Sequence, residues 1–328
     1  MIKRAKDELF VFSGPLASAA NGLITYARMS GNHYNTEGRY LIHICELAET
    51  LNINPDTLPK TLVDKWCVKK DTESHKTWSN RIYVIRKLAK YMDSMGMVVY
   101  HTPLKVPGRK SEYTPHIYTN EELRNFFACA DQIPSYTNCP NRKAVASLIF
   151  RLIYGCGLRL SEALNLEIQD VDTEKDLLII RNSKMDKSRY VPMSHELGDE
   201  CRLYIQKVKL ISKPNDPFFL APDKGFYSRR AIYHLFRQIL DMAGICHSGK
   251  GPRIHDFRHT FAVNCLKKWI KDGKSLTSAL PVLAAYLGHK SLKESQNYLR
   301  LTADMYPEIT KSLNDTFNDL IPEVTDCE

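Results

Sequence analysis

Apolar residues recur every three or four positions along most of the chain, a spacing that predicts a protein built chiefly from helices. Over about 14–30, Leu16, Leu23, Ile24 and Ala27 fall on one side of a first helix. Thr36 is placed to cap a second, on which Tyr40, Ile44, Leu47 and Leu51 share a face. Pro59 fits the first turn of a third, which holds Leu62, Val63 and Trp66. A fourth runs from about Lys76 to Met95 with Trp78, Ile82, Ile85 and Ala89 as its core stripe. Its other face carries Lys76, Asn80, Tyr83, Lys87 and Lys90 at steps of four, three, four and three. A basic stripe with one aromatic ring suits a phosphate backbone, and it equally suits an ordinary solvated face.

The pattern breaks at 105–115, where prolines, a glycine and basic residues cluster, and this composition marks a linker between a helical domain at 1–104 and a second domain at 116–303. Beyond it the periodicity is mixed. Helices are expected near 119–131, 141–155, 160–167, 196–210 and 228–243, with more towards the end. The last of these five bears Arg229, Arg230 and Arg237. LLIIRNS and SRYVPMS alternate as paired strands around a short turn, and PFFLAP reads as a further short strand. The expected fold class is mainly α with a small antiparallel β-sheet.

Charge sharpens this division. Residues 1–110 carry 17 Lys and Arg against 10 Asp and Glu, and 111–303 carry 28 against 20. The last stretch, 304–328, reverses to 1 against 7, yet Ile309, Leu313, Phe317 and Leu320/Ile321 still recur at helical spacing. Two basic domains suit nucleic acid, and the acidic tail suits a protein surface, either that of its own domain or that of a neighbouring protomer. No apolar run has the length of a membrane span, and no secretory signal is visible. The nine cysteines are scattered without a C-x-x-C pair, which favours reduced thiols in a cytoplasmic protein over zinc ligands or disulfides.

Four segments carry candidate chemistry. GCGLRLSEALNL places Arg159 at a helix start with Glu162 three residues on. RNSKMDKSRYVP puts Lys184 and Lys187 at a hairpin tip. IHDFRHTFA holds His255, Arg258 and His259, and LGHKSLKESQNYLR holds His289 and Tyr298 nine residues apart. Each alone has a plain alternative: a helix salt bridge for Arg159, a solvated turn for the lysines, a helix-end cap for His289, a half-buried ring for Tyr298. His255 and His259 lie four apart, as metal ligands on one helix face do, but Asp256 stands where H-E-x-x-H has its Glu, and no third ligand is evident.

Together and in this order, the four segments resemble the catalytic domain of the tyrosine recombinases, the lambda-integrase family, over about 116–303. The helical N-terminal part matches only in kind, as the core-binding domain of that family. The resemblance implies a DNA strand transferase in which Tyr298 attacks a phosphodiester and later returns it to a new 5′ hydroxyl. Arg159 and Arg258 would hold the non-bridging oxygens, since a guanidinium stays charged and offers forked donors. Lys184 would protonate the leaving 5′ oxygen, with Lys187 as its rival. His255 would accept a proton, His289 would contact the phosphate, and Glu162 would orient the arginines from behind. A phenol with a pKa of about 10 needs such a setting to attack at neutral pH. The phosphotyrosine link conserves bond energy, so neither ATP nor a metal nor any other cofactor is expected.

The step from Arg258 to His289, 31 residues, is long for the family, and residues 1–13 are too few for an added arm-site domain. The implied partner is duplex DNA gripped in a C-shaped clamp, with dimers pairing into a homotetramer and no membrane. The implied use is integration, excision or transposition of a mobile element, ahead of chromosome-dimer resolution. Alternatives are a type IB topoisomerase, a non-cutting DNA-binding regulator on the same fold and a metallohydrolase built on His255 and His259.

Overall fold

Caps and buried stripes decide where each helix starts and stops. The computed structural model describes residues 8–103, 113–181, 188–208, 213–248, 251–288 and 298, with backbone alone for Leu276 and Thr277. These divide into two compact units, one up to residue 103 and one from Tyr113 onward.

The first unit contains α1 (Ala17–Met29), α2 (Asn35–Thr50), α3 (Lys60–Cys67) and α4 (His75–Ser94). Helix α2 opens after Tyr34, a left-handed residue with φ of 55°, so Thr36 is already inside the helix and is not its cap. Pro59 is the extended residue just before α3, one position earlier than the spacing suggested. Ser74 caps α4 by accepting the amide of Thr77 at 3.0 Å. The unit is not wholly helical: β1 (Thr57–Leu58) and β2 (Val98–Val99) form a two-residue parallel pair, too short to leave a period-two signature. Its core joins Leu16, Leu23, Leu41, Ile44, Leu62, Ile82, Ile85 and Leu88. Trp78 is only half-buried, and Arg81 takes a core position instead. The Arg81 guanidinium lies over the Trp66 ring at 4.6 Å and pairs with buried Glu73 at 2.6 Å, which removes the cost of an isolated internal charge.

The second unit begins at Tyr113, which the linker reading had included. Helix α5 (Asn120–Asp131) starts in a reciprocal cap between Thr119 and Glu122. It is followed by α6 (Arg142–Gly155) and α7 (Leu160–Leu164). Helix α7 stops at Leu164, short of the expected 167, and a 3-10 turn at Ile168–Asp170 leads into β3 (Val171–Asp172). Strands β3, β4 (Leu177–Ile180) and β5 (Arg189–Pro192) form an antiparallel sheet, with Leu178 opposite both Val171 and Val191. After α8 (His195–Val208), PFFLAP is not a sheet strand. Pro217 and Leu220 make isolated bridges to Glu167 and Phe226, while Phe218 and Phe219 pack on Tyr204. Helices α9 (Arg229–Met242), α10 (Ile254–Lys271) and α11 (Leu276–Leu287) complete the described elements. The fold is mainly α with a small antiparallel sheet.

Phe257 sets the rotation of α10. Its ring is fully buried and meets Phe126 at 5.0 Å, Phe236 at 5.9 Å and Tyr118, stacked, at 4.6 Å. Anchored aromatic packing of this kind fixes a helix about its axis, and it turns His255, Arg258 and His259 away from that cluster. The start of α10 is pinned as well. Asp256 accepts the Arg253 amide at 2.8 Å and the Tyr113 hydroxyl, and Arg253 covers the Tyr113 ring at 3.6 Å. Among the described residues no helix is long and apolar enough to cross a membrane.

Candidate active site

The last carbonyls of a helix have no amide partners within it. At the end of α11 three successive carbonyls are supplied by three arginines from three different elements. Arg189 Nε, on β5, donates to the Tyr286 carbonyl at 2.9 Å. Arg258 Nη2, on α10, donates to that of Leu287 at 2.6 Å. Arg159 Nη2, just before α7, donates to that of Gly288 at 3.2 Å. Arg258 Nη1 also reaches the Gly157 carbonyl at 2.7 Å, just past the end of α6. Positive charge at helix C-termini is favourable, so the same arrangement gathers the guanidiniums and steadies the helices.

Glu162 binds the cluster from below. Its Oε1 accepts Arg159 Nη1 at 2.8 Å and Arg189 Nη1 at 3.0 Å. Its Oε2 accepts Arg189 Nη2 at 2.9 Å and the Arg159 amide at 2.8 Å, and Arg258 Nη1 stands 3.8 Å away. Burial works against the ionised carboxylate, but the Arg189 hydrogen bonds and the surrounding positive charge outweigh it and hold the pKa below the usual glutamate range. Gly288 has a φ of 67°, and a Cβ there would lie 2.9 Å from Arg189 Nη1, so both backbone and space call for glycine.

His255 keeps one side in solvent. Desolvation of the rest of the ring and then the charges of Arg258 and Arg159 push its pKa down to about 4, against a smaller opposing pull from Glu162. The imidazole is therefore neutral at physiological pH and able to accept a proton or a hydrogen bond. It meets His259 edge to face at 4.7 Å. The His259 ring lies 5.4 Å from that of Tyr298. Tyr298 is 3% exposed, packs with Ala262, Leu266, Leu283 and Leu287, and hydrogen-bonds the Arg258 guanidinium. Arg258 is itself 1% exposed. Burial and Arg159 lower its pKa, and Tyr298 and Glu162 work the other way.

The second unit thus brings Arg159, Glu162, His255, Arg258 and Tyr298 together. Lys184, Lys187, His289 and the tail at 304–328 lie outside the described residues. The stripe on α4 is solvent-facing at Lys76, Tyr83 and Lys90 and half-buried at Asn80 and Lys87, whose ammonium sits 5.4 Å over the Tyr83 ring. On α9, Arg229, Arg230 and Arg237 are exposed, opposite a face that buries Ile232, Phe236 and Ile239. Among the described residues no group of three or more His, Cys, Asp or Glu is gathered to hold a metal. A cation at His255 would also face Arg258 and Arg159. The eight described cysteines are free.

Sequence reasoning missed Arg189. A signal was present: in SRYVP, Arg189 and Val191 share one strand face while Tyr190 is exposed, and an arginine on the core side of a strand demands partners. It also gave Tyr113 no part. Its contact with Asp256 spans 143 residues of sequence and leaves no local pattern.

Residues 119–305 match the family model described as the phage integrase family. A putative integrase/recombinase, y4rB, of Sinorhizobium fredii is 30% identical over 77% of this chain and 83% of its own length. The tyrosine recombinase XerA of Thermococcus kodakarensis is 29% identical over 69% of this chain and 73% of its own. Among solved structures, the XerH site-specific recombinase bound to difH substrate shares the fold with a TM-score of 0.60 at 22% identity, over 81% of this chain and 75% of that one. The Tn1549 transposon integrase in complex with a circular intermediate DNA gives 0.60 at 17%, over 85% and 94%.

Proposed function

The chain belongs to the phage integrase family and is a tyrosine recombinase, and we propose that it cuts and rejoins duplex DNA at a defined site through a covalent 3′ phosphate link to Tyr298. The observation that carries this reading is the contact between Tyr298 and Arg258, with Arg159 and neutral His255 alongside. Each guanidinium has five N–H donors, so Arg159 and Arg258 keep donors for the non-bridging oxygens beyond those given to carbonyls. Arg258 and Tyr298 are both closed to solvent, so a phosphate reaches the guanidinium only after a local rearrangement.

In the proposed step the Tyr298 oxygen attacks phosphorus and the bond to the 5′ oxygen breaks. The phenol proton passes to His255 or to solvent, and the leaving oxygen takes a proton from Lys184. His289 contacts the phosphate. Two guanidiniums stabilise the charge that builds on the non-bridging oxygens, which is where a fixed cationic site gains most. Attack by a new 5′ hydroxyl reverses the sequence on a different strand. Lys76, Asn80, Tyr83, Lys87 and Lys90 on α4, with Arg229, Arg230 and Arg237 on α9, supply backbone contacts to the DNA. The working assembly is a tetramer formed from dimers on two sites, each tail at 304–328 docking on a neighbour, and the role is movement of a mobile element.

A plasmid with two copies of a site, selected for binding from DNA flanking the gene, tests the reading. Recombination between the copies should release a circle of defined size. Relaxation of supercoils at unrelated positions, with no circle, would mean a topoisomerase.

A further inference from the structure

Arg189 leaves the hairpin on β5 with its side chain 12% exposed, and each of its three guanidinium nitrogens donates to a protein acceptor. It touches both the carboxylate behind Arg159 and the helix end behind Arg258. We infer that Arg189 is a positioning residue for strand cleavage: it neutralises Glu162 so that Arg159 keeps a full positive charge, aimed at the scissile phosphate. The inference rests on the reading that Arg159 and Arg258 hold that phosphate.

The charge balance requires a third cation. Glu162 lies 2.8 Å from Arg159 Nη1, and a largely buried carboxylate at that range cancels most of its partner's field. With Arg159, Arg258 and Glu162 alone, the cluster would carry one net positive charge against a phosphoryl transition state that concentrates negative charge on its oxygens. Arg189 forks across both Glu162 oxygens and restores the second charge. Its third bond, to the Tyr286 carbonyl, holds the fork in register with the turn at Gly288, where the missing side chain leaves room for it. Lysine offers charge without a planar fork, so it would serve only in part.

The test is single-turnover adduct formation on a nicked duplex, with the scissile phosphate either natural or replaced by a methylphosphonate, which lacks one charged non-bridging oxygen. Arg189→Ala should slow cleavage of the natural duplex on the order of a hundredfold. On the methylphosphonate the gap to the wild-type chain should shrink at least about tenfold, because the transition state asks for one charge less. Glu162→Gln added to Arg189→Ala should recover at least about tenfold over Arg189→Ala alone, since it removes the uncompensated carboxylate. Arg189→Lys should fall between, and it carries the same comparison if the alanine variant unfolds on heating at ordinary assay temperature. An equal defect on both substrates, with the double variant no better than the single, would show that Arg189 only braces the fold and would overturn the inference. A wild-type chain that forms no adduct would remove the functional reading and this inference with it.

Discussion

Arg258 donates to the carbonyl of Leu287 at 2.6 Å, so the residue assigned to the phosphate also closes the helix that ends before Gly288. Binding and architecture are joined in one side chain. Arg258→Ala leaves the Leu287 and Gly157 carbonyls without their donor, and a hydrogen bond to a charged group contributes about 1.5–3 kcal/mol. Urea unfolding should show a loss of about 3 kcal/mol or more, with cleavage abolished. Arg258→Lys should regain part of the stability and little of the activity. An unchanged urea midpoint for the alanine variant would mean that these bonds do not hold the helix end.

The depressed pKa of His255 gives a second expectation. A histidine titrating at about 4 in the fold, against 6.5 when unperturbed, binds its proton more weakly folded than unfolded. Its contribution is therefore intact above 6.5 and is lost progressively as pH falls from 6.5 towards 4. Thermal melting should show the wild-type chain losing more stability than His255→Gln between pH 7 and pH 4.5. Cleavage by the wild-type chain should show no acid limb near 6.5, because the imidazole facing Arg258, Arg159, Glu162 and His259 is already neutral there. A limb centred on 6.5 would place His255 in an unperturbed setting.

Gly288 and Gly244 form a natural comparison. Both have positive φ, 67° and 68°, but a Cβ at Gly244 meets open space while one at Gly288 meets Arg189. Gly244→Ala should cost about 1–2 kcal/mol from backbone strain alone and leave cleavage intact. Gly288→Ala should cost more and should also impair cleavage, through displacement of Arg189 and Arg159. Equal effects of the two on both stability and cleavage would remove the argument from close approach.

What the chain discloses before folding follows from the reach of each interaction. Helix α4 was legible from its apolar stripe, the helices that carry Arg258 and Leu287 only as further helices towards the end, and the candidate residues from four local motifs in order. β1 and β2 were not, because two-residue strands have no periodicity. Arg81 was not, because its burial depends on Glu73 and Trp66 meeting it from another turn and another helix. Glu162 was legible as a partner of Arg159, three residues away, but its fork with Arg189 joins positions 27 residues apart and becomes visible only once the sheet brings β5 against α7.

The assignment of Lys184 over Lys187 is open to a substrate test. Replacing the bridging 5′ oxygen by sulfur makes a leaving group that needs little protonation. Lys184→Ala should then cleave the sulfur duplex well and the oxygen duplex poorly, with Lys187→Ala mild on both. The reverse pattern would move the proton donor to Lys187.

The central claim is that Tyr298 is the nucleophile, and the most direct measurement is the covalent adduct itself. The wild-type chain and Tyr298→Phe would each be incubated with a nicked duplex bearing the selected site, then run on a denaturing gel. The substitution removes one hydroxyl and leaves the ring in its packing with Leu283 and Leu287, so DNA binding should persist. The account predicts a denaturation-resistant protein–DNA band for the wild-type chain and none for Tyr298→Phe, a loss of several powers of ten in rate. A band of equal strength from Tyr298→Phe would contradict it and pass the nucleophile to another residue.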